Sequence, residues 1–161
     1  MTYARTVVAA ALALAATAAL GQSELRIAHI YGKTGALEAY GKQTQAGLQL
    51  GLEYATGGKM QVLGRKIVII EKDDQIKPDI ARSALATAFG DDKADIAVGP
   101  TSSASALAML PVAEEYKKVL LVEPAVADSI TGERWNRYVF RTGRSSSQDA
   151  IAAAVATPQN A

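Results

Sequence analysis

The sequence predicts an α/β fold, a Rossmann-like doubly wound parallel sheet, and three observations carry that prediction. Short apolar runs of strand character alternate with longer segments of helical periodicity, and such alternation calls for a parallel sheet with right-handed crossovers and helices on both faces. One run, Lys66-Ile67-Val68-Ile69-Ile70-Glu71, is continuously apolar in its middle, as a strand covered on both faces would be. Another, Ala94-Asp95-Ile96-Ala97-Val98, passes through Gly99-Pro100 into Thr101-Ser102-Ser103, a hydroxyl cluster that opens an alanine-rich helix.

The elements follow in order. Met1 to Arg5 carries one positive charge, Val7 to Leu20 is an apolar run of Ala, Val and Leu with one Thr, and Ala19-Leu20-Gly21 offers the small residues a signal peptidase reads. Residues 1–21 are therefore expected to be a cleaved secretory signal peptide, with an alternative site after Ala16-Thr17-Ala18. The run is shorter than the roughly 20 residues a bilayer core requires. Leu25 to Tyr31 alternates apolar positions as a first strand, with His29 expected inside it as a half-buried, hydrogen-bonded imidazole. Glu38 to Ala55 reads as a helix with Leu48, Leu52 and Ala55 on one face, and Gly47 and Gly51 are expected to let it approach the sheet closely.

Gly57-Gly58 ends that helix, Leu63-Gly64-Arg65 turns into the second strand at Lys66 to Glu71, and Asp73-Asp74 follows. Lys77-Pro78-Asp79 suits a helix start, because Pro at the first helical position loses no hydrogen bond. Ile80, Ala84, Leu85 and Ala88 supply its buried stripe. A third strand at Ile96 to Val98, a helix from Ser103 to Lys117 and a fourth strand at Val119 to Val122 come next. Tyr138-Val139-Phe140-Arg141 is a fifth strand, and Gln148 to Ala156 begins a last helix that Pro158 would interrupt.

Composition narrows the function classes. The chain has 17 basic and 16 acidic residues, and losing the leader removes only Arg5, so the mature chain is neutral. Its charges are interspersed rather than clustered, which argues against nucleic acid as a partner. Cysteine is absent, so an exported chain of this kind relies on its hydrophobic core for stability.

In a doubly wound sheet, ligands bind beyond the carboxyl ends of the strands. Tyr31 to Tyr40, Asp73-Asp74, Thr101-Ser102-Ser103 and Glu123 to Asp128 all lie there. Gly32-Lys33-Thr34 invites a phosphate-loop reading, but the earlier glycine of that motif would fall at Ile27. No Gly-x-Gly-x-x-Gly occurs, which argues against a dinucleotide cofactor, and none is expected. The single histidine and the lack of cysteine leave no nucleophile, base and orienting group together, so an enzyme is not expected. Asp73-Asp74 reads as a solvated pair capping a loop in preference to a metal site. The Thr101-Ser102-Ser103 junction has two readings: an ordinary helix N-cap, or a carboxylate site built from unpaired helix amides and hydroxyls.

The chain resembles a known family along nearly its whole mature length. Leu25-Arg26-Ile27-Ala28-His29-Ile30, Thr34-Gly35, Tyr40-Gly41, Gly47, Gly64, Asp74, Val98-Gly99-Pro100-Thr101-Ser102-Ser103, Glu123-Pro124-Ala125 and Tyr138-Val139-Phe140-Arg141-Thr142 to Gln148 resemble, in order and spacing, the leucine/isoleucine/valine-binding proteins. These are type I periplasmic solute-binding components of ABC transporters, in which two α/β lobes close over a small ligand.

The resemblance implies that residues 22–145 are the incomplete first lobe and that 146–161 are a truncated helix and divergent end. It assigns the ligand carboxylate to Ser103 and Ser102, a wall of the pocket to Tyr40, and contacts with the ligand head group to Ala125 and Ala127. It implies a monomer in the periplasm that delivers a small carboxylate solute to permease subunits in the inner membrane. A ligand-sensing domain of the same fold is the alternative. At Ala127 the branched-chain amino-acid binders usually carry a Thr whose hydroxyl helps hold the ligand ammonium, so this chain is expected to accept a carboxylate without an α-ammonium at least as readily as leucine. Family members are more than twice as long, and the chain is accordingly expected to be a truncated reading frame or fragment.

Overall fold

The computed structural model describes residues 24–157; the signal peptide expected at residues 1–21 and the interruption expected at Pro158 lie outside them. Strand β1 (Glu24–Tyr31) is followed by helix α1 (Glu38–Ala55), a short strand β2 (Gln61–Val62) and strand β3 (Arg65–Asp73). Helix α2 (Pro78–Gly90), strand β4 (Ile96–Val98), helix α3 (Ser103–Tyr116) and strand β5 (Leu120–Val122) come next. A 3-10 turn (Asp128–Ile130), strand β6 (Val139–Arg141) and helix α4 (Ser146–Ala156) complete the order. Among the described residues no helix is long and apolar enough to cross a membrane.

The strands form one sheet in the order β2-β3-β1-β4-β5-β6. All pairs are parallel except β2 with β3. That antiparallel edge was not anticipated from the sequence. Leu63 and Gly64 both have positive φ, 48° and 76°, which makes a tight two-residue hairpin that folds Gln61–Val62 back onto β3. Because β3 therefore lies one strand from the edge, Ile67 is buried while Val68, Ile69 and Ile70 are only half-buried. The expectation of full burial on both faces is corrected accordingly.

Alternation along β1 divides the core. Ala28 and Ile30 point to the face covered by α2 and α3, where Ala81, Leu85, Ala88 and Phe89 of α2 meet Ala106, Met109, Leu110 and Ala113 of α3. Ile27 points to the opposite face, where Ile67 and Val98 are packed by Leu48 and Leu52 of α1. Phe89 is a core residue the sequence stripe omitted, whereas Ile80 and Ala84 are half-buried.

On the α1 side the close approach is made by a different glycine from those expected. A Cβ on Gly41 would collide with the Gly32 carbonyl, so the first turn of α1 sits directly on the loop after β1. A Cβ on Gly47 or Gly51 would meet nothing within 4 Å among the described residues, and Ala55 is exposed. Those positions therefore face open space beside the sheet.

His29 also departs from expectation. It is fully buried, its ring stacks on Tyr31 with centroids 4.2 Å apart, and neither ring nitrogen has a hydrogen-bond partner among the described residues. Period-two spacing puts both rings on the same face of β1, which explains the stack. Burial lowers the imidazole pKa from 6.5 to about 4, against a smaller opposing pull from Glu71.

Candidate functional site

The parallel strands run β3-β1-β4-β5-β6, so successive connections leave β1 in opposite directions and open a crevice between the carboxyl ends of β1 and β4. Two loops meet there. Gly99, at φ 122°, passes so close to the Ile30 carbonyl that any Cβ would overlap it. This lets the chain leave β4 against β1 and start α3 immediately. Thr101 joins the loops, because its Oγ1 accepts the Gly32 amide at 3.0 Å.

Ser102 is the N-cap of α3: its Oγ accepts the Ser105 amide at 3.2 Å, and its carbonyl accepts the Ala106 amide at 2.9 Å. Helix geometry leaves the amides of Ser103 and Ala104 without an intrahelical acceptor. They carry the positive end of the helix dipole into the crevice region. Ser103 reaches sideways to the loop after β5, where its Oγ accepts the amides of Val126 at 3.2 Å and Ala127 at 3.1 Å. A hydroxyl that accepts two bonds keeps its own proton to donate.

The loop carrying Ala125 and Ala127 is held from its other side by β6 and the start of α4. Arg141 Nη1 donates to the carbonyls of Ala127 at 2.8 Å and Val126 at 3.3 Å. The Ser146 amide donates to the Val126 carbonyl at 2.8 Å, and Ser147 Oγ donates to Asp128 Oδ1 at 3.0 Å. The Ser147 amide is the first cause of an Asp128 carboxyl held below its ordinary range. Ser145 and Gln148 form a reciprocal capping box that starts α4.

These contacts frame a cleft of about 360 Å³ bordered by Tyr40, Ser102, Ser103, Ala125 and Arg144, with Leu37 and Ile76 as apolar walls. Four of the five residues assigned from sequence come together here. Tyr40 is 55% exposed at its edge. Ala127 stands just behind: its methyl packs against the α2/α3 core, and its amide is bound to Ser103. A groove of about 550 Å³ adjoins the cleft, running between α1 and strands β4 and β5 and sharing Tyr40, Pro124 and Arg144 with it.

Arg141, Arg144 and Thr101 were not singled out as site residues from the sequence. Thr101 lay within the quoted hydroxyl cluster, whereas the two arginines look like ordinary strand-end charges until the loops are folded together. Asp73 does cap a loop. Burial pushes its carboxyl up, but bonds from Thr34 Oγ1 and from the Gln75, Thr34 and Lys33 amides outweigh this and leave it below its ordinary range. Asp74 is no solvated partner: it is fully buried, and its Oδ1 accepts the Ile76 amide at 3.0 Å. Among the described residues no group of three or more His, Cys, Asp or Glu side chains is gathered to hold a metal.

A helix N-terminus, a hydroxyl and an aromatic side chain thus converge at the topological switch point of a parallel α/β lobe, the place where open sheets of this kind bind ligands. The chain belongs to the periplasmic binding protein family, whose model matches residues 24–159. It is 29% identical over 149 residues to the Leu/Ile/Val-binding protein BraC3 of Rhizobium johnstonii, a match covering 92% of this chain and 40% of that one. Among solved structures, an ABC-type branched-chain amino acid transporter protein from Rhodopseudomonas palustris is 71% identical, with a TM-score of 0.78 over 80% of this chain and 34% of that one. A solute-binding protein of an ABC transporter from the same species, in complex with 3,4-dihydroxybenzoic acid, is 30% identical with a TM-score of 0.69, covering 76% of this chain and 32% of that one. The chain thus spans well under half the length of these relatives.

Proposed function

We propose that the chain is the first-lobe portion of an extracytoplasmic substrate-binding component of an ABC transporter, which captures a small carboxylate for delivery to permease subunits. The observation that carries this reading is the α3 N-terminus. The Ser103 and Ala104 amides have no intrahelical acceptor, the Ser103 hydroxyl proton has no acceptor among the described residues, and Ser103 borders a cleft closed on one side by Tyr40 and Ala125. A carboxylate placed there meets two amides, a hydroxyl and a helix dipole of the right sign.

In this reading residues 1–21 direct export to the periplasm, residues 22–145 form the ligand-holding lobe, and residues 146–161 lead away from it. The ligand is a small carboxylate, and an aromatic or other organic acid without an α-ammonium is accepted at least as readily as leucine, because Ala127 has no hydroxyl to hold an ammonium. A missing bond to a buried cation costs on the order of 1.5–3 kcal/mol. The relative crystallised with 3,4-dihydroxybenzoic acid indicates that the family's fold accommodates such an acid.

An amide-resolved NMR titration tests the proposal. Benzoate is expected to shift the Ser103, Ala104 and Ala125 amides saturably, though weakly, since one lobe supplies only part of a ligand's contacts; leucine is expected to shift them less. No movement of these amides with either ligand overturns the carboxylate site, and a stronger response to leucine overturns the ligand class.

A further inference from the structure

We propose that Arg144 is a specificity-determining residue of this cleft, favouring anionic ligands over those that carry an ammonium beside the carboxylate. This rests on the carboxylate reading above and adds a residue that the family resemblance did not assign to the site. Arg144 lies in the turn between β6 and α4 and borders both the cleft beside Ser103 and the adjoining groove. Among the described residues it is the one Arg, Lys, Asp or Glu side chain on the cleft wall. The positive end of α3 faces the same space, so both fixed sources of potential on this wall have one sign.

Among the described residues no acid lines the cleft. Asp149 Oδ1 accepts Arg144 Nε at 2.5 Å, which anchors the guanidinium while leaving its two terminal nitrogens without a partner among the described residues. Glu123 borders only the adjoining groove, and its Oε2 accepts the Thr142 hydroxyl at 2.5 Å. Asp128 is held by Ser147. A ligand ammonium entering the cleft therefore meets the guanidinium and no carboxylate on the described lining, whereas a second oxygen acceptor on the ligand meets guanidinium nitrogens without a partner among the described residues. The Arg144 side chain is 60% exposed, so water and salt screen it and the discrimination is moderate.

The test compares benzoate with leucine by NMR titration of the full chain and of Arg144→Gln, Arg144→Glu and Asp149→Asn. Arg144→Gln is expected to lower the benzoate-to-leucine affinity ratio about three- to fivefold, and Arg144→Glu to lower it further. Asp149→Asn breaks the same ion pair but keeps the cation, so it is expected to hold or raise benzoate affinity. Added salt is expected to shrink the wild-type ratio and leave that of Arg144→Gln nearly unchanged. A ratio unaffected by Arg144→Gln, or a loss of benzoate binding in Asp149→Asn as large as in Arg144→Gln, overturns the assignment. If neither ligand moves the Ser103 and Ala104 amides of the wild type, the cleft reading itself fails; if benzoate moves them and the benzoate-to-leucine ratio is the same in wild type and Arg144→Gln, only the role of Arg144 fails.

Discussion

Ser103 carries two tasks with one hydroxyl. Accepting the Val126 and Ala127 amides fixes the loop that presents Ala125, and the remaining proton is what a ligand carboxylate would use. Its neighbour Ser102 is taken up by capping, so the two serines, equivalent in the sequence, are not equivalent in the fold. His29 shows a different residue-scale effect. It stays neutral in the folded chain down to about pH 4, whereas the unfolded chain protonates it near 6.5. Between those values the unfolded state binds more protons, so stability is expected to fall as pH drops from 6.5 toward 4, by up to about 3 kcal/mol. His29→Leu, which removes the titrating group from a buried site, is expected to flatten that slope in urea-unfolding curves measured across this pH range. A slope unchanged by the substitution would assign the acid sensitivity to the carboxylates instead.

At the scale of elements, α4 differs from the other helices. None of its residues is buried, and Ile151 and Val155 are 65% and 82% exposed. Its start is nevertheless well defined by the Ser145–Gln148 capping box and the bonds of Ser146 and Ser147 to the loop after β5. Ser145→Ala is therefore expected to cost the helix about 1 kcal/mol and melt it locally, raising hydrogen exchange across residues 146–156 while leaving the global unfolding midpoint unchanged. A matching fall in the global midpoint would mean that α4 folds with the core. The alternation of strand and helix was readable because each element has a strong period or a cap. The β2 edge was not, because two residues have no period, and only the positive φ of Leu63 and Gly64 reveals the turn.

For the molecule as a whole, the two faces of the sheet are unequal. Two helices, α2 and α3, seal one face. On the other face α1 covers β1 and β3, while Leu121 is half-buried and Phe140 is 50% exposed. The unfilled space beside Gly47 and Gly51 lies on the same side as this groove. An apolar strip of this kind is expected to bind a hydrophobic dye and promote concentration-dependent association. The double substitution Leu121→Gln and Phe140→Gln is expected to reduce both effects in fluorescence and light-scattering measurements; unchanged values would mean that the strip is covered in solution. Sequence periodicity identified each apolar stripe on its own element. It carried no information on whether a stripe meets a partner, so Gly47 and Gly51 read as contact positions although they face open space.

The sequence by itself determined the alternating α/β order, the strand-to-helix junction at Gly99 to Ser103 and the family, because these are encoded in local periods, caps and motif spacing. Only the tertiary structure decided which residues share the cleft. Crossovers from β1 and β4 bring Tyr40 and Ser103 together, β6 lays Arg141 and Arg144 against the loop after β5, and the pleat of β1 turns His29 into the interior. Such encounters join residues up to about a hundred positions apart, and chain direction at each sheet edge, which no local pattern records, determines them.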